Sequence, residues 1–127
     1  MMKPKIPVVL LAAVIISILS GCGRSLHLNQ LQFGVWASEK DLWEEAAFRW
    51  KKAAAADPDS VAAHNNLAVA YEKKGLWEEA RKEYAIALKL APKNTYVKYN
   101  LDMFQENLDS LKKDEARKGA DGADEKK

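Results

Sequence analysis

Leu42-Trp43-Glu44-Glu45-Ala46 returns unchanged as Leu76-Trp77-Glu78-Glu79-Ala80, 34 residues further along the chain. Sliding the sequence by that offset extends the match in both directions. Trp50 falls on Tyr84, Ala53 on Ala87, Pro58 on Pro92, and Phe33-Gly34 on Leu67-Ala68. Leu31 falls on Asn65, and a partial third copy sets Tyr99-Asn100-Leu101 on Asn65-Asn66-Leu67. A period of this length marks stacked supersecondary units, each a pair of helices unable to bury its apolar face alone. The units run over 27–60 and 61–94, with a third beginning at Thr95.

The spacing within each unit has a packing logic. Leu42, Ala46 and Trp50, and again Leu76, Ala80 and Tyr84, recur every four residues and form an apolar stripe on each second helix. Antiparallel helices approach closely where side chains are small: Gly34 and Ala46 in one unit, Ala68 and Ala80 in the other. Pro58 and Pro92 cannot continue a helix, and each pushes the preceding residue out of helical geometry. Ser60 and Thr95 are expected to cap the helices that follow, and Asp41 and Gly75 to make the turns inside each unit. The expected helices are 28–40, 43–56, 61–73, 77–90 and 95–112.

These residues resemble the tetratricopeptide repeat family. Leu67, Ala68, Tyr71, Ala80, Tyr84, Ala87 and Pro92 follow its pattern of large, small and aromatic residues; Phe33, Gly34, Ala46, Trp50, Ala53 and Pro58 keep most of it. Gln30 and Ala37 depart where the pattern prefers aromatics, and Asp102 where it prefers a small residue. The resemblance implies an all-α, right-handed α-solenoid: two full repeats, 27–60 and 61–94, and a capping helix over 95–111. Asp102, Glu106 and Asp109 suit that helix to water where a further repeat would otherwise pack.

The first 21 residues read as an address. Lys3 and Lys5 precede an apolar run, Ile6 to Leu19, short for a bilayer span of about 20 residues but suited to a signal-peptide core. Leu19-Ser20-Gly21-Cys22 resembles the lipobox of bacterial lipoproteins. The resemblance implies cleavage after Gly21, acylation of Cys22 and a short lipid-anchored linker, 22–26. Gly23 in place of aspartate implies the outer membrane, facing the periplasm, in a cell with two membranes. Cys22 is the only cysteine, so no intramolecular disulfide can form.

Removing 21 of the 127 residues leaves 106, with 18 basic and 18 acidic side chains. The net charge of +2 therefore belongs to the address, and nothing in the mature chain calls for nucleic acid. From 112 to 127 six bases, five acids and two glycines leave no large apolar side chain, and this stretch is expected to be a solvated helix end fraying into a charged, disordered tail.

No catalytic constellation stands out, and neither an enzyme nor a cofactor is expected. His27 and His64 lack neighbours at metal-ligand spacing, and each is expected to be structural. Glu44-Glu45 and Glu78-Glu79 sit in the first turns of second helices, where negative charge suits the helix dipole. Of the four tryptophans, Trp43, Trp50 and Trp77 occupy repeat packing places; Trp36 does not, since its counterpart is Ala70, and it is a candidate interface residue on a first-helix face with Leu28, Leu31 and Val35 that no earlier repeat is expected to cover.

In this family the first helices line a groove that receives a peptide. Carried over residue by residue, that groove comprises Leu31 and Val35, Asn65 and Val69, and Tyr99 and Met103, with Asn65 as a donor to a peptide backbone. Leu31 and Val35 stand where a carboxylate clamp would need a base and an asparagine, which argues against that mode. The resulting expectation is a lipid-anchored adaptor for a protein partner in the bacterial envelope, serving a pilus, secretion or outer-membrane assembly machine. The alternative is a self-associating, homo-oligomeric module.

Overall fold

The computed structural model describes residues 27–124, with side chains as far as Lys118. The signal segment, Cys22 and the linker to residue 26 lie outside the described residues. Five helices follow one another: α1 (27–38), α2 (Trp43–Ala56), α3 (Val61–Lys73), α4 (Trp77–Leu90) and α5 (Thr95–Asp124). Among the described residues there is no strand. The expected boundaries of α2, α3 and α4 are met, and α1 ends two residues earlier than expected.

The punctuation repeats with the sequence. Asp41 (φ 57°) and Gly75 (φ 71°) both adopt the left-handed conformation that reverses the chain. The same backbone bond closes each turn: Leu42 N–H donates to Ala37 O at 2.9 Å, and Leu76 N–H to Tyr71 O at 2.8 Å. Asp57 and Ala91, the residues before the prolines, leave helical geometry at ψ 91° and 75°. Ser60 caps α3 by accepting from Ala63 N–H. The cap of α5 is Asn94 and not Thr95: its Oδ1 accepts from Tyr96 N–H at 3.0 Å and Val97 N–H at 3.2 Å. Asn94 is the residue 34 positions after Ser60, so the repeat itself identifies the cap.

Two buried clusters form the core. Ala37, Ala46, Ala47 and Trp50 of the first unit close on Leu67 and Ala70 of α3. Ala68, Ala80 and Tyr84 of the second unit close on Phe104 and Leu108 of α5. Tyr71 packs against both and joins them. Leu42 is an exception to the apolar stripe, being half-exposed at the start of α2. Each close helix contact is matched in volume. A Cβ added at Gly34 would overlap the Trp50 indole ring, whereas the second unit sets Ala68 with the smaller Tyr84. Larger partner and smaller partner exchange places, and the packing density is kept.

Both histidines are structural, as expected. His27 bonds Ala53 O at 3.1 Å and Ser60 Oγ at 3.2 Å, tying the start of α1 to the end of α2 and the cap of α3. His64 bonds Pro58 O at 2.9 Å and Glu83 Oε2 at 2.6 Å.

The fifth helix departs most from the sequence reading. It buries Val97, Phe104 and Leu108, and every residue from Asp109 to Lys118 is exposed. It nevertheless continues to Asp124, where fraying into a disordered tail was expected from 112. That expectation counted only burial. Lys112 to Lys118 consists of Lys, Asp, Glu, Ala and Arg, with no proline to stop propagation from a docked first half.

Candidate functional site: the face of the first helices

The first helices, α1, α3 and α5, place their repeat-equivalent residues on one face. A hollow of about 410 Å³ lies between α1 and α3, lined by Leu28, Leu31, Gln32, Val35, Ala62 and Asn66. A smaller one of about 220 Å³ lies between α3 and α5, lined by Val61, Ala62, Asn65, Asn66, Asn94, Tyr96 and Val97. Ala62 and Asn66 border both hollows and join them into one groove. No lining side chain carries a charge. The groove therefore offers apolar surface and amides, and no base for a carboxylate.

The six expected groove residues divide. Leu31 and Val35 line the larger hollow, with Val35 exposed and Leu31 half-buried against the core. Val69 is half-buried and packs on the second core cluster. Tyr99 and Met103 are exposed on α5 but border neither hollow. Asn65 is corrected: it is 1% exposed and already committed. Its Oδ1 accepts from Asn100 Nδ2 at 3.1 Å and its own Nδ2 donates to Asn66 Oδ1 at 3.3 Å. A buried amide that ties α3 to α5 is not free to bond a peptide backbone, and breaking those bonds would leave polar atoms unpaired.

Apart from Leu28, the groove's other residues were missed, although the period contained the signal. Leu28, Ala62 and Tyr96 are mutually 34 residues apart, and so are Gln32, Asn66 and Asn100. The first triplet supplies an aliphatic residue, a small one and a 62%-exposed aromatic. The second is a row of amides, of which Asn66 is half-buried and lines both hollows. An amide presents both donor and acceptor, matching the two groups of a peptide unit.

Outside the groove, Tyr84 donates from Oη to Glu72 Oε2 at 3.2 Å, and Asn107 Nδ2 donates to Glu72 Oε1 at 2.9 Å. Burial, and then the Glu72 carboxylate beside it, push the Tyr84 hydroxyl well above its ordinary pKa. The Tyr71 hydroxyl is raised as well, by burial first and by Glu83 next. Both groups stay neutral and hold helices together. Among the described residues no helix is long and apolar enough to cross a membrane.

Comparison with known proteins agrees with this fold. The family described as tetratricopeptide repeat matches residues 61–94, and a second, described as TPR repeat, matches residues 39–75. Residues 39–94 carry tetratricopeptide repeats. Among solved structures, the C-terminal TPR-containing domain of an FK506-binding protein from Plasmodium falciparum is similar, with a TM-score of 0.66 at 21% identity. The match covers 72% of this chain and 60% of that one, so the likeness concerns the fold alone. No curated protein matches the chain. Tetratricopeptide repeats are protein-interaction modules.

Proposed function

We propose that this chain is a lipid-anchored tetratricopeptide adaptor of the bacterial cell envelope. Its groove takes an uncharged, partly apolar stretch of a partner protein and brings that partner to a membrane, the outer one in a two-membrane cell. The observation that carries the interaction reading is the continuous neutral groove lined by Leu28, Val35, Asn66 and Tyr96. The anchor reading rests on Leu19-Ser20-Gly21-Cys22, which follows a charged start and an apolar core. Partners bound by backbone pairing and apolar contact associate with little dependence on salt, unlike those steered by charge.

Two measurements test the proposal separately. Cys22→Ser should abolish incorporation of labelled fatty acid and leave an unprocessed precursor; continued labelling overturns the anchor. Leu28→Arg and Val35→Arg place charge in the groove at exposed positions, without touching the core. Either should release envelope proteins captured by the parent chain from detergent-solubilised membranes. If both variants retain the same proteins, the groove is not the binding surface.

A further inference from the structure

The 34-residue register shows what covers one face of each first helix, and in α1 that face is exposed. On α3, Leu67 and Ala70 are 2% and 0% exposed because α2 lies over them through Ala46, Ala47 and Trp50. On α5, Leu101 and Phe104 occupy the same register, and α4 lies over them. Phe104 sits 5.3 Å from the Tyr84 ring and 6.4 Å from that of Trp77. The equivalents on α1 are Phe33 and Trp36, 54% and 52% exposed, bordering a hollow of about 320 Å³ with Gln32.

A charge follows the same register. Lys74, at the end of α3, donates to Glu44 in the first turn of α2 at 2.6 Å. Its equivalent, Lys40, is exposed and makes no ion pair among the described residues.

The chain's own second helices do not fit this face in another copy. α2 is covered by α3, and α4 by α5. The far end of the stack exposes Asp102, Glu106 and Asp109, so a head-to-tail array would press Phe33 and Trp36 against carboxylates. We propose that this face of α1 docks a helix of another protein, running antiparallel to α1. That helix carries a carboxylate in its first turn, opposite Lys40, and a small–aromatic–small stripe spaced like Ala46–Trp50–Ala53 or Ala80–Tyr84–Ala87. The surface is distinct from the groove and stands or falls independently of it. Two half-exposed aromatics offer roughly 200 Å² of apolar surface, well below the area a standard interface buries on each partner, so the association is expected to be weak.

The test uses the full chain in lipid nanodiscs and a labelled peptide reproducing residues 77–90, held helical by a side-chain bridge on its polar face. Anisotropy should report saturable binding. Trp36→Glu in the protein should abolish it while leaving the thermal unfolding midpoint in place. Lys40→Glu should weaken it about tenfold, and a peptide carrying Glu78→Lys should restore affinity to that variant alone. Absence of binding at several hundred micromolar overturns the proposal, as does binding indifferent to Trp36→Glu. So does a failed charge exchange. A Trp36-dependent dimer in sedimentation without peptide would give the face to a second copy. Trp36-dependent capture on protein-free anionic vesicles would give it to a bilayer. Either result replaces the proposed partner.

Discussion

The two complete units are copies in which the same register positions meet different surroundings. In the second unit, Ala70 is sealed beneath the first; in the first, Trp36 stands half in solvent. Gly34 faces Trp50 in one, and Ala68 is grouped with Tyr84 in the other. Asp41 adopts the left-handed turn in one, Gly75 in the other. Position in the stack therefore decides what a residue does. The second unit has neighbours on both sides and is specified by packing, whereas the first has one described neighbour and keeps bulky apolar side chains half in solvent, with the Arg49 guanidinium 5.2 Å from the Phe33 ring centroid.

Exchanging residues between the units puts that contrast under the heaviest strain. Ala70→Trp introduces the first unit's residue into a sealed contact and should cost about 3 kcal/mol or more through overpacking. The reciprocal Trp36→Ala should change stability by less than about 1 kcal/mol, as expected for a half-exposed side chain. Urea unfolding of both variants measures the asymmetry, and equal costs would erase it. Next in size is Gly34→Ala, expected to cost about 2 kcal/mol because the added methyl meets the Trp50 ring. Adding Trp50→Tyr recreates the second unit's pair. The double-mutant cycle should then show at least about 1 kcal/mol of favourable coupling.

Alkali should distinguish the units too, since Trp50 has no ionisable group where Tyr84 does. The Tyr84 hydroxyl has a raised pKa in the fold. The unfolded chain loses this proton near pH 10 while the folded one keeps it, so the stabilisation is complete below pH 10 and falls above it. The loss should approach about 1.4 kcal/mol per pH unit. Tyr84→Phe should make the decline measured by chemical denaturation between pH 10 and 11 shallower, leaving the part due to the Tyr71 hydroxyl, which is raised too. Smallest is the turn. Asp41→Gly should stabilise by about 0.5–1 kcal/mol by relieving a left-handed non-glycine residue, and Gly75→Asp should cost a similar amount. A null result at both would mean that the Asp41 side chain compensates for its backbone.

The fold was largely readable because one arithmetic rule wrote it twice. Leu42 to Ala46 and Leu76 to Ala80 set the period, and Pro58 and Pro92 set the ends of α2 and α4. The site was less readable. Asn65 resembles a free amide in sequence, and only the approach of Asn100 shows it to be spoken for. The rows through Leu28 and Gln32 lay in the same period, but their residue types vary from unit to unit, so they lack the small–aromatic pattern that drew attention to the core. The tail failed differently. Burial says nothing about a helix that extends from a docked half by local propensity.

That last point has a dynamic consequence. Thr95 to Asp124 is a single helix of 30 residues, about 45 Å at 1.5 Å per residue, yet its two halves are held by different means. The half containing Phe104 and Leu108 opens only when the second core cluster opens. The half beyond Leu111 is secured by its own backbone bonds, which fray at low cost. Amide hydrogens along one unbroken rod should therefore exchange over a steep gradient. Those near Phe104 should be as slow as the core of α4, and those past Asp114 almost as fast as an unfolded peptide, with no joint in the backbone to mark the change.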